Sequence, residues 1–155
     1  MSNVTLAYTI QGDSDGYVIF ECPFCESEFK LQAGEYQSEQ NPVLDLFCPY
    51  CGLTSSKDDF YSKEVIEQIQ NIAQNYMVEM INKSFGKMAK SINRSGKGII
   101  KMEFRPLDKI HVKNIETEDA VEDEFECSCC GNHVKVLYCI GKSKIFCGYC
   151  GVDIK

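Results

Sequence analysis

The sequence predicts an α+β protein: two small β units, each organised by four cysteines, joined by one long α-helix and a short strand segment. Three observations carry this expectation. Eight of the ten cysteines in the 155 residues fall into C-x2-C pairs, two pairs towards each end. A stretch in the middle repeats its apolar residues at helical spacing. Short strand-like runs bounded by turn residues occupy the remainder. The expected division is 1–60, 61–115 and 116–155.

Taken in order, VTLAYTI (4–10) and YVIFE (17–21) read as strands around the turn-rich GDSDG. Residues 28–31 and 43–47 are further strands, the first following Cys25 and the second entered at Pro42 and ending at Cys48. Residues 62–93 read as one helix, with Ser62 as N-cap and Glu64 and Glu67 in its first turns. At about 1.5 Å per residue such a helix spans about 45 Å. No domain this small covers it on every side. Part of the stripe Ile69, Ile72, Tyr76 and Met80 is therefore expected to meet a protein partner or a second copy of the chain. Residues 99–105 and 109–112 read as short strands. ETEDAVEDEFE (116–126), with seven acids and no base, reads as a solvated linker. A hairpin of 133–138 and 144–146 around Gly141 closes the chain.

The cysteine pairs carry the chemistry. Cys22 and Cys25 join Cys48 and Cys51 across a 22-residue spacer; Cys127 and Cys130 join Cys147 and Cys150 across 16. Two residues between cysteines let a tight turn aim both sulfurs at one point, and two such turns complete a tetrahedron around a metal ion. A glycine after the second cysteine supplies the positive φ that closes the turn. Gly52, Gly131 and Gly151 occupy that place, but Glu26 does not, so the first turn is expected to be distorted. The expected cofactors are two Zn2+, one per set, in structural sites without an open coordination position. Iron has the same geometry, and an iron-type electron carrier is a third reading. Cys129 and Cys139 are left over as small apolar fillers. His133 competes only weakly with a complete set of thiolates.

The runs Phe47-Cys-Pro-Tyr-Cys-Gly52 and Phe146-Cys-Gly-Tyr-Cys-Gly151 resemble the knuckles of zinc ribbons, the rubredoxin-like ribbons among them. The resemblance covers residues 17–55 and 125–155 and makes the chain similar to a bacterial double zinc-ribbon protein. It implies metal binding and two small β ribbons. Such ribbons occur in transcription factors, ribosomal proteins and accessory proteins, so it implies no particular activity.

Charge is unevenly spread. The net charge of −7 divides into −8 for residues 1–60, +5 for 61–113 and −4 for 114–155. Lys83, Lys87, Lys90 and Arg94 fall on one helix face, and Lys97, Lys101 and Arg105 follow. This segment, 83–113, suits a nucleic-acid backbone or an acidic protein surface; Phe85 and Phe104 would stack on single-stranded bases. No catalytic signature is found. Gly141-Lys142-Ser143 ends like a phosphate-binding loop but lacks its first glycine, since Val136 stands there. The two histidines have no nucleophile motif beside them. The N-terminus lacks signal-peptide features and no apolar run is long enough to span a bilayer. The expectation is a cytoplasmic, non-enzymatic metal protein acting as an adaptor or accessory subunit through its helix, with nucleic-acid binding as the alternative and no membrane role.

Overall fold

A computed structural model describes residues 3–95, 98, 100–137 and 144–155. Lys97, Cys139 and the turn expected around Gly141 lie outside the described residues. The chain folds as two compact units, one of residues 9–65 and 114–155 and one of 1–8 and 66–113.

The first unit is the ribbon unit. β1 (Tyr17–Glu21) and β2 (Glu28–Gln32) form an antiparallel hairpin, followed by the one-turn helix α1 (Ala33–Tyr36). β3 (Asp45–Phe47) and β4 (Thr54–Ser56) form a second hairpin, which leads into a 3-10 turn over Lys57–Phe60. β5 (Glu122–Glu126) and β6 (His133–Leu137) form a third. β2 and β6 also pair, so the larger sheet has the order β1-β2-β6-β5. Strands of residues 1–60 and of 116–155 thus share one sheet. The physical reason is size. A lone two-stranded hairpin is marginal in water, whereas four strands present a face broad enough to bury. That face carries Phe29 and Leu31 from β2 and Val134 and Val136 from β6, packed with Phe20, Leu46, Phe60 and Ile145.

The other face of the two central strands holds a charged cluster. Lys30 and Lys135 are directly opposite one another and both are buried. Each ammonium lies 3.3 Å from the Asp13 carboxylate; Lys30 also reaches Glu122 at 2.9 Å and Lys135 reaches Asp15 at 2.7 Å. Asp13 accepts the backbone N–H groups of Asp15 and Tyr17 as well. Burial opposes its charge, but these hydrogen bonds and the two lysines outweigh it and hold the carboxyl below the ordinary range.

In the second, helical unit, the long helix α2 (Lys63–Ser95) contributes its residues from Ile66 onward. Ser62 caps it as expected, its hydroxyl accepting the N–H of Val65. Residues 100–113 form no strand, contrary to the expectation for 99–105 and 109–112. Backbone groups of Met102, Leu107, Ile110 and Lys113 hydrogen-bond instead to side chains of α2. Asn75, Asn82 and Asn93 each donate to one backbone carbonyl and accept one backbone N–H, at Ile110, Leu107 and Met102 respectively. Gln68 accepts the N–H of Lys113. An amide side chain can satisfy both groups of one residue at once, so Met102, Leu107 and Ile110 need no neighbouring strand.

Two further expectations are corrected. Residues 4–10 form no strand: Val4 and Leu6 are half exposed, with no sheet face to bury them. Residues 116–126 are not simply a linker, because Glu122–Glu126 is β5. It lies at the sheet edge and is paired on one side only, where acidic side chains keep an edge strand soluble and unpaired.

Candidate metal centres

Four turns of one design present the eight cysteines. In each, the N–H of the residue after the second cysteine donates to the carbonyl of the first: Glu26 to Cys22, Gly52 to Cys48, Gly131 to Cys127 and Gly151 to Cys147, at 2.8–3.0 Å. The N–H of each first cysteine closes the turn onto Ser27, Leu53, Asn132 or Val152. Glu26 adopts φ of 57°, beside 71–73° for the three glycines. The first turn is therefore regular rather than distorted, and the strain falls on Glu26 instead. A side chain in the left-handed region costs about 1–2 kcal/mol. Its exposed ion pair with Lys63 at 3.4 Å offsets little of that. Glu26→Gly is expected to stabilise the protein by about 0.5–1 kcal/mol, after the greater freedom of glycine in the unfolded chain is deducted. A thermal or denaturant melt of the metal-loaded protein checks this.

The sulfurs meet in two groups. Cys22, Cys25, Cys48 and Cys51 have their Sγ atoms within 4.8 Å of one another, as do Cys127, Cys130, Cys147 and Cys150. The close pairs are Cys22–Cys51 at 3.8 Å and Cys25–Cys48, Cys127–Cys150 and Cys130–Cys147 at 3.6 Å. Such distances are far too long for a disulfide of about 2.05 Å. They match the edge of about 3.8 Å expected for a tetrahedron of thiolates about 2.3 Å from a central ion. The donor set therefore fits a metal ion in each group.

The surroundings agree. Cys22, Cys48, Cys127 and Cys147 are buried, which anchors each site to the core. Backbone N–H groups of Phe24, Tyr50, Cys51 and Tyr149 point at the sulfurs of Cys22, Cys48 and Cys147 at 3.4–3.5 Å. They would spread the charge of four thiolates. Without an ion, burial pushes the Cys48 and Cys147 thiols well up. For Cys25, burial opposes the thiolate, but hydrogen bonds from Ser27 outweigh it and bring the thiol to about 7. A bound cation would replace the protons of these thiols.

Cys129 is exposed and stands outside the four-sulfur groups. His133 is committed elsewhere: its Nδ1 lies 2.6 Å from Glu35 Oε1, and its backbone N–H donates to Glu35 Oε2. The Glu35 carboxylate raises the imidazole above its ordinary value.

The other residues singled out by sequence belong to the helical unit. Ile69 and Met80 are exposed at 43 % and 52 %, while Ile72 and Tyr76 are half-buried. Ile66, Met77 and Met88 are exposed too. With Ile69, Ala73 and Met80 they form a stripe on the face of α2 opposite Gln68, Asn75 and Asn82. Lys83, Lys87, Lys90, Arg94, Lys101 and Arg105 are all exposed. Lys83 and Lys109 donate to Glu79, holding its carboxyl down at about 2. Phe85 and Phe104 stack on each other, with ring centroids 5.7 Å apart.

Sequence reasoning missed the amide ladder and the buried lysine pair. The ladder had a signal: Gln68, Asn75 and Asn82 recur every seven residues, polar positions on one seam of the helix. Among the described residues no helix is long and apolar enough to cross a membrane. Comparison of the chain with protein-family models, with curated proteins and with solved structures returns no match.

Proposed function

We propose that this chain is a non-enzymatic, cytoplasmic protein in which two structural Zn2+ ions hold the ribbon unit, and which acts as an adaptor or accessory subunit through α2. The observation that supports this reading is the apolar stripe of α2. In the helical unit, Ala89 is the one apolar residue that is buried among the described residues, whereas Ile66, Ile69, Met77, Met80 and Met88 are exposed. A unit with so small a core gains its stability from a surface that covers the stripe. The double variant Ile69→Ser, Met80→Ser is expected to lose its assembly while retaining both metals. Light scattering and native mass of both proteins test this. A monomer in each case, with no partner lost by the variant, contradicts it.

The alternative reading, a nucleic-acid-binding accessory factor, is favoured by one observation. The helical unit carries nine basic and four acidic residues, a net of +5. The stacking of Phe85 on Phe104 engages the rings that would meet bases, so binding would rest on the phosphate backbone and fall steeply with salt. Reversing charge at Lys87, Lys90 and Arg94 should then abolish a low-salt gel shift. No shift with single- or double-stranded probes contradicts this alternative.

A further inference from the structure

The two halves of the ribbon unit repeat one another. Phe20-Glu21-Cys22 with Cys25 and Lys30 matches Phe125-Glu126-Cys127 with Cys130 and Lys135. Phe47-Cys48 with Tyr50-Cys51-Gly52 matches Phe146-Cys147 with Tyr149-Cys150-Gly151. The fold sets these repeats about a local two-fold axis. Lys30 lies directly opposite its own equivalent, Lys135, where β2 meets β6.

Contacts between the cysteine turns obey the same symmetry. The N–H of Phe47 donates to the Gly148 carbonyl at 2.8 Å, and that of Phe146 donates to the Pro49 carbonyl at 2.9 Å. The rings are exchanged as well. A Cβ added to Gly151 would come within 2.6 Å of the Phe47 ring, and one added to Gly52 within 3.1 Å of the Phe146 ring. Each ring thus lies against the glycine that closes a turn of the other set. The residue preceding a ligand in one set, Phe47 or Phe146, is positioned by a turn of the other.

We propose that the two cysteine sets load as one cooperative pair, an ion in either set raising the affinity of the other. The inference rests on the reading of both sets as metal sites. An ion orders the turns around it, and the ordered turns supply the carbonyl and the glycine surface that seat the other set. Pairing β2 with β6 needs both hairpins in place. The first ion therefore bears the cost of ordering the shared sheet, and the second meets a site already built. Couplings of this kind reach about 100-fold.

The test uses the full-length chain, stripped of metal under reductant and titrated with Zn2+, with native mass spectrometry reporting chains with no, one and two ions. At half saturation, a coupling of about 100-fold keeps the one-ion species below about a tenth of the total, against about half for independent, equal sites. Phe47→Ala with Phe146→Ala, which changes no ligand, should bring the one-ion species back towards half. Cys25→Ser should weaken Zn2+ binding at the second set, and Cys130→Ser at the first, by the same factor. If a variant fails to fold, the wild-type distribution decides alone. A one-ion species at about half or more in the wild type overturns the coupling while leaving the metal sites standing. No bound ion at all overturns both.

Discussion

A Cys48→Ser chain is expected to lose its first metal site and, with it, the ordered core around Phe20, Phe29 and Leu46. Cys48 is fully buried within that core, and the N–H groups of Tyr50 and Cys51 converge on its sulfur. A hydroxyl there is a poor ligand for a soft site and leaves the donors without their thiolate. Binding to a four-thiolate site contributes about 10–16 kcal/mol in peptide systems. A whole domain is stable by only about 5–15 kcal/mol. Losing the ion therefore removes more free energy than the fold holds in reserve. Metal counting and circular dichroism of the purified variant check this. Cys129→Ser is the matched control, because Cys129 is exposed and belongs to neither set; it should retain both metals and the wild-type melt.

The second large effect is expected at Asp13. Asp13→Asn leaves Lys30 and Lys135 buried without the carboxylate they share, and should destabilise the metal-loaded protein by about 3 kcal/mol. Glu122 and Asp15 keep the loss from being greater. The acid dependence follows from the direction of the shift. Asp13 is held below its ordinary value of 3.8 in the fold. Its ion pairs are fully stabilising above that value and are lost as pH falls through the lowered one. The gap between wild type and variant should thus be constant from pH 7 down to about 5 and close in stronger acid. Denaturant melts across that range, with metal content monitored, measure it.

The sequence carried the candidate ligands more clearly than the architecture. All eight cysteines could be named because a C-x2-C pair is local: its turn geometry depends on four or five consecutive residues. Strands β1, β2 and β6 were legible for the same reason. The choice of β6 as the partner of β2 was not, since it depends on residues 105 apart in the chain and on burying Lys30 and Lys135 together. The regularity of the first turn was hidden by Glu26, which adopts a backbone usually left to glycine. The segment after the helix misled because IIKMEFR alternates like a strand. At Met102, Leu107 and Ile110 the backbone groups are instead met by Asn93, Asn82 and Asn75, residues whose side chains compete with backbone partners. β5 looked like a linker because an edge strand can be strongly acidic.

We propose above that each four-cysteine set holds a structural Zn2+. Native mass spectrometry of freshly purified, untreated full-length protein tests it most directly. The expected result is a colourless protein whose mass exceeds that of the reduced chain by two zinc ions, less the protons they displace. A metal-free chain that is fully folded in the presence of chelator, or a coloured one carrying iron, would contradict it.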